Sequence, residues 1–158
     1  MDSTPTTCGE PIRFYDPVGP YGWLSNFSPH AIIIDGSVYP TVEHYFQTQK
    51  FCEFNRRSAV AGAKSPSEAK RLAKEWQKFR RDDWSHVRDS VMEMALEAKF
   101  RQHANLRSLL ISTDLRTLIE DSSDDSYWGV GPGGTGQNRL GEILMRLRHR
   151  LRNAERLL

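Results

Sequence analysis

The hydrophobic positions of this chain recur with a helical period over most of its length and alternate only in short runs. Leu140, Ile143, Leu144, Leu147 and Leu151 share one face and predict an amphipathic helix over 138–157. Trp84, Val87, Val91, Met94 and Ala98 predict the longest helix, opened by Asp82 or Asp83 and running to about His103. Val42, Tyr45, Phe46 and Gln49 share a face behind Thr41, a plausible N-cap, and predict a helix to about Asn55. Ser65-Pro66-Ser67-Glu68 combines a capping serine, a proline at the first helical position and a glutamate three residues on. That capping box starts a helix that runs to about Glu75, and Leu106 to Ile111 reads as a further helical piece. Strand signals are brief. They cover 11–15, a hairpin of 31–34 and 37–39 joined by Asp35-Gly36, 116–120, and an extended stretch over 127–130. The pattern predicts an α+β fold, mostly helical, with a few short strands in a single compact domain.

Composition narrows this picture modestly. A chain of 158 residues, 38% hydrophobic and 27% charged, is long enough to bury a core. Residues 1–10, rich in Ser, Thr and Pro, read as a disordered tail, and 11–158 as one domain. Cys8 and Cys52 give neither a disulfide framework nor a CxxC motif. No apolar run approaches a membrane span, and the N-terminus lacks an apolar signal core. The expectation is no membrane partner and a reducing compartment: the cytoplasm, or the nucleus of a eukaryotic cell. Basic residues gather over 70–81 and 139–156. They read either as solvated helix faces or as a groove that attracts phosphates.

Chemistry-capable residues concentrate in Trp23-Leu24-Ser25-Asn26-Phe27, in the run from Tyr39 to Gln47, and in the run from Asp124 to Gly131. Each mixes aromatic rings with carboxylates, amides or small residues, a combination suited to a nucleoside-like ligand. Gly131 to Gly136 matches GxGxxG, but the one helix read after it argues against a dinucleotide fold. A phosphate cradle leading into the last helix and a plain turn both remain open. The five histidines show no zinc-ligand spacing. Glu43 reads either as a functional acid or as a partner of the helix dipole. Asp124 and Asp125 read as functional acids or as turn residues.

The motifs Tyr21-Gly22-Trp23-Leu24-Ser25-Asn26-Phe27 and Tyr39-Pro40-Thr41-Val42-Glu43-His44-Tyr45-Phe46-Gln47 resemble the NADAR family, which includes the YbiA-like N-glycosidases. Ala69-Lys70, Asp83-Trp84, Lys99-Phe100, Asp125, Trp128-Gly129, Gly131, Gly133, Gly136, Asn138 and Leu140-Gly141 follow in the family's order, so the resemblance runs from about Ile12 to Arg152. The chain departs from the family at Ser112-Thr113-Asp114 and Pro132-Gly133-Gly134, which bears on loop shape.

The resemblance implies an enzyme without metal or cofactor that hydrolyses the bond between a base and a ribose. It implies two substrate groups: ADP-ribose attached to guanine, in DNA or a nucleotide, and phosphorylated ribosylamino-pyrimidines of riboflavin biosynthesis. A module that binds ADP-ribose without cleaving it is the non-catalytic alternative. In the family's terms Glu43 stabilises the ribosyl cation and moves a proton, Asp125 is a second carboxylate, and Lys70 is an alternative nucleophile that would form an imine. Ser25, Asn26 and Phe27 hold the ligand, Trp84 and Trp128 stack on it, and Gly129, Gly131, Gly133, Gly136 and Asn138 cradle phosphate.

Overall fold

Three short strands, five helices, a fourth strand and a last helix follow one another through residues 9–157, the part described by the computed structural model. In chain order they are β1 (Ile12–Phe14), β2 (Ile32–Ile34), β3 (Ser37–Tyr39), α1 (Val42–Thr48), α2 (Phe54–Ala61), α3 (Pro66–Glu75), α4 (Trp84–Gln102), α5 (Ala104–Ser112), β4 (Leu118–Glu120) and α6 (Arg139–Glu155). The fold is α+β and mostly helical. Most of the expected N-terminal tail, residues 1–8, lies outside the described residues. Contacts group the rest into two units, one of residues 23–103 and one of residues up to 22 together with those from 104 onward.

The 23–103 unit is built around α1. Asp35 and Gly36 both adopt left-handed backbone, φ 51° and 77°, the requirement of a two-residue hairpin turn. They join β2 to β3 antiparallel, with Ile33 opposite Val38. The outer edge of β2 is closed by the Gln102 side chain, which donates to the Ile33 carbonyl and accepts its N–H, both at 2.8 Å. That pairing removes two backbone groups from an open strand edge. α2, α3, α4 and β3 all pack against α1, and every residue from Val42 to Thr48 is buried.

The helix expected to run to Asn55 ends at Thr48, and α2 follows it as a separate helix. No proline or glycine marks the break. Phe51 is buried in its own cluster with Val60, Ala69 and Ala73, and reaching it requires the chain to turn. Arg57 donates to the Phe51 carbonyl at 3.0 Å and so satisfies the turn's backbone. The stripe expected on α4 is displaced as well. Met94 is 52% exposed, and the buried face is Trp84, Met92, Ala95, Leu96, Lys99 and Phe100.

In the other unit β1 pairs parallel with β4, Ile12 opposite Leu118. α6 packs on β4 and α5 packs on α6. Leu140, Ile143, Leu144, Leu147 and Leu151 are buried on one face of α6, as their spacing predicts. Buried Arg148 donates to Thr113 Oγ1 and the Arg116 carbonyl, both at 2.8 Å, and ties α6 to the α5–β4 connection. The stretch expected to be extended over 127–130 consists of turns and a bend.

Candidate active site

Thr41 sets the position of Glu43. Its backbone is extended, φ −147° and ψ 165°, and its hydroxyl accepts the His44 N–H at 3.2 Å. This is the N-cap bond that starts a helix. The same hydroxyl lies 2.8 Å from His44 Nδ1, and His44 Nε2 lies 3.1 Å from the Ala63 carbonyl. A carbonyl only accepts, so Nε2 carries the proton and Nδ1 accepts from Thr41. Burial holds the His44 pKa below its ordinary value, in keeping with a neutral, structural imidazole.

Glu43 follows the cap, in the first turn of α1, and is 6% exposed. Its N–H donates to the Asn26 carbonyl at 3.1 Å. Its Oε1 accepts from Gln47 Nε2 at 2.6 Å, one turn along the helix. The Ser25–Ser28 turn therefore lies against the helix start that carries the carboxylate. Ser25 Oγ accepts the Phe27 N–H, and the Ser28 N–H closes the turn on the Ser25 carbonyl. Asn26 Oδ1 and Gln47 Oε1 are buried acceptors without a hydrogen-bond partner among the described residues. An unpaired buried polar atom costs about 1–3 kcal/mol, so each of these oxygens retains an unused capacity to accept a hydrogen bond.

Lys70 and Phe27 come together, the exposed Lys70 ammonium lying 5.9 Å from the centre of the Phe27 ring. Trp84, expected to stack on ligand, is 5% exposed and packs edge-on against Phe46 with ring centres 5.0 Å apart. Its ring is committed to the core of this unit.

The second candidate group stands in the other unit. Asp125 Oδ1 accepts the backbone N–H groups of Tyr127 and Trp128 at 2.9 and 2.8 Å, and the Asp125 N–H donates to Ser122 Oγ. One oxygen of this carboxylate thus builds the turn that presents Trp128, which is half-buried and set edge-on to Tyr127.

The expected phosphate cradle takes a different form. The N–H groups of Asn138, Arg139 and Leu140, where α6 begins, donate to the carbonyls of Gly129, Tyr127 and Trp128 at 3.0, 3.0 and 3.1 Å. These amides are occupied by backbone and are not offered to an anion. The Asn138 side chain is occupied too, donating to the Leu118 carbonyl and accepting the Glu120 N–H, both at 2.9 Å. Asn138 is a strap between α6 and β4. Gly129 and Gly136 are close-packing positions: a Cβ on Gly136 would stand 2.6 Å from the Gly129 carbonyl oxygen, and one on Gly129 would stand 2.8 Å from that of Glu120. Gly131 takes a left-handed φ of 66° and is buried, whereas Gly133 is exposed.

The residue the sequence reading passed over is Lys99. In the sequence only the family resemblance singles it out, yet it is 1% exposed and donates to the Ser25 carbonyl at 3.0 Å and to Ser28 Oγ at 2.6 Å. Its signal was its place seven residues after Met92 on the buried face of α4. Among the described residues no cluster of three His, Cys, Asp or Glu side chains is placed to hold a metal ion, and no helix is long and apolar enough to cross a membrane.

Known proteins resemble this chain in sequence and fold. The NADAR domain profile matches residues 13–152, and the chain belongs to the NADAR family. It is 45% identical over 140 residues to the N-glycosidase YbiA of Escherichia coli, covering 89% of this chain and 88% of that protein. It is 40% identical to an N-glycosidase of Nostoc punctiforme, covering 90% and 93% of the two chains. A riboflavin biosynthesis protein of Vibrio vulnificus is 39% identical over 142 residues, which span 90% of this chain and 39% of that protein. The solution NMR structure of E. coli YbiA superposes with a TM-score of 0.86 at 43% identity, over 92% of this chain and 87% of that one.

Proposed function

We propose that this protein is an N-glycoside hydrolase that cleaves a base–ribose bond with Glu43 as its acid–base group. The observation that carries the reading is the buried Glu43 carboxylate, fixed by Gln47 and set beside two unpaired amide oxygens, in a chain similar to proteins named N-glycosidases. As the C1′–N bond breaks, its electrons leave with the base and positive charge grows on the ribose. A carboxylate held next to that charge stabilises it more strongly in a dry site than in water. Water then bonds to C1′ and gives up a proton to Glu43. The departing base nitrogen takes up one proton, so a single carboxylate that receives one and returns one closes the balance. A positioned proton-transfer group contributes about 10²–10⁴-fold.

The finer reading is that the base is guanine and the sugar belongs to ADP-ribose, on a nucleotide or in nucleic acid. Charge supports an anionic substrate. Between Lys50 and Arg81 ten lysines and arginines stand against three acids, Glu53, Glu68 and Glu75, although the whole chain carries only +2. This stretch spans α2 and α3, both packed on the Glu43 helix. It also exposes two aromatic rings, Phe54 and Phe79, the second stacked by Arg56 with 3.5 Å between guanidinium and ring centre. Cations interleaved with open aromatic faces suit phosphates and bases together. The second reading, a phosphorylated ribosylamino-pyrimidine, is favoured by the riboflavin biosynthesis relative. Incubating the protein with each substrate and following base release by mass spectrometry separates the two. Release of guanine supports the first reading, and pyrimidine release alone replaces it with the second. Binding of ADP-ribose without turnover of either overturns the assignment as a hydrolase. A cytoplasmic location is part of the same proposal.

A further inference from the structure

Lys99 is a charged side chain within the core of its unit, and the mechanism above gives it no task. Among the described residues its Nζ has two hydrogen-bond partners, the Ser25 carbonyl and Ser28 Oγ, and neither is charged. An ammonium buried without a counter-ion is costly to keep. Burial accordingly lowers its pKa from 10.5 to about 7. A lysine in that state costs stability, and what it holds in place is the turn of its two partners.

Both partners belong to the turn on which the candidate site depends. The Ser25 carbonyl that Lys99 holds is the one that closes the turn through the Ser28 N–H at 3.1 Å. Between the two clamped residues lies Asn26, whose carbonyl receives the Glu43 N–H and whose Oδ1 is one of the unpaired acceptors. Ser28 is buried as well and leads outward to His30, with 3.0 Å from its Oγ to His30 Nδ1. His30 in turn sets its ring 5.4 Å from that of His103. The titratable groups that meet the turn are Lys99, these two histidines, Glu43 through the Asn26 carbonyl, and Lys70 over the Phe27 ring. Burial first, then Lys99 and His103, lowers the His30 pKa. A neutral His30 accepts the Ser28 proton and leaves the Ser28 oxygen free to accept from Lys99.

We propose that Lys99 is a positioning residue for the Glu43 site: its buried amine clamps the Ser25–Ser28 turn and, through the Asn26 carbonyl, fixes the first turn of α1. The geometry carries this independently of the substrate, whereas any effect on turnover rests on the hydrolase reading.

The test uses Lys99→Met, which keeps the stem and removes the amine, and Ser28→Ala, which removes one partner and leaves the charge. Amide hydrogen exchange at Glu43 is followed by NMR in the full chain, with Leu96 on α4 and Leu144 on α6 as controls. Loss of a hydrogen-bonded clamp of this kind is expected to speed Glu43 exchange by about tenfold or more while the controls hold. Unchanged Glu43 exchange in both variants overturns the proposal. If Lys99→Met speeds exchange everywhere, it has lost the fold, and Ser28→Ala alone decides by the same criterion. Turnover is then measured well below each variant's Tm, where the protein is fully folded. A positioning role lowers kcat by roughly ten- to a hundredfold with KM nearly unchanged, and a purely stabilising role leaves kcat at the wild-type value and overturns the proposal. If the wild type turns over neither substrate, the hydrolase reading fails and the exchange experiment still decides the role of Lys99.

Discussion

Gln47 donates its side-chain amide to the Glu43 carboxylate at 2.6 Å, one turn further along a helix that is buried on every side. The bond fixes which way the carboxylate points and leaves Gln47 Oε1 unpaired. Gln47→Leu removes the donor and the unpaired acceptor together, and takes one hydrogen bond from the buried Glu43 carboxylate. Its effect on chemistry is expected to be a fall in kcat of roughly tenfold. A steady-state comparison at matched folded fraction checks this, and wild-type kcat in Gln47→Leu would show that the carboxylate needs no such fixing.

Asp125 separates architecture from proton transfer in a single position. Its Oδ1 accepts two backbone N–H groups, and asparagine offers the same oxygen. Asp125→Asn is therefore expected to keep the wild-type Tm, whereas Asp125→Ala loses a cap worth about 0.5–2 kcal/mol. If Asp125→Asn keeps its Tm yet loses about a hundredfold or more in kcat, the second carboxylate acts in the chemistry and not only in the turn.

Gly141 marks a close approach between α6 and β4. A Cβ there would stand 2.1 Å from the Leu118 carbonyl oxygen and 2.5 Å from Asn138 Nδ2, the strap between α6 and β4. Gly141→Ala is expected to cost about 1–3 kcal/mol or more, read as a fall of several degrees in Tm. The same substitution at Gly134, where nothing lies within 4 Å but φ is 69°, carries only the strain of a left-handed backbone.

Much of this architecture is legible in the residues. Ser65-Pro66-Ser67-Glu68 starts α3 where its capping box places it, with the Ser65 hydroxyl accepting the Glu68 N–H at 3.1 Å. Asp35-Gly36 makes the hairpin turn it predicts. The break after Thr48 is not legible, because it follows from where Phe51 finds its cluster and not from any local breaker. The α4 stripe is misplaced because Met94 is apolar and exposed while Lys99 is charged and buried, the reverse of what periodicity assumes. At the candidate site Glu43 and the Ser25–Ser28 turn are legible as motifs. The roles of Asn138 and Asp125 are not, since a side chain that satisfies backbone groups and one that meets a ligand look alike in sequence.

Stability should follow pH through Lys99. Its folded pKa of about 7 lies below its ordinary 10.5, so between those values the unfolded chain binds more protons. The free energy of unfolding therefore rises as pH climbs from about 7 toward 10.5. His44 acts in the same direction at lower pH, because its folded pKa is also lowered and stability is lost as pH falls through about 6.5. Chemical denaturation at pH 7 and pH 9 is expected to show the higher stability at pH 9 in the wild type, with that gain reduced in Lys99→Met. An equal gain in both proteins would place the proton uptake elsewhere.

Lys70 tests the route of the reaction. Its ammonium lies over Phe27 on the exposed side of α3, a place suited to attracting phosphate. Borohydride added during turnover is expected to trap no protein adduct, and Lys70→Ala is expected to raise KM with kcat within about tenfold of wild type. A trapped adduct of ribosyl mass that disappears in Lys70→Ala would replace direct water attack with an imine.

The central claim is that Glu43 performs the chemistry, and base release by wild type and Glu43→Gln tests it most directly. Glutamine keeps the size of the side chain, still lets Gln47 donate to an oxygen, and removes the charge and the proton acceptor. With ADP-ribosylated guanine and the ribosylamino-pyrimidine phosphate offered separately, wild type should release one base, and Glu43→Gln, with an unchanged Tm and ligand affinity, should release it about 10²–10⁴-fold more slowly. Equal rates for the two proteins would contradict the account.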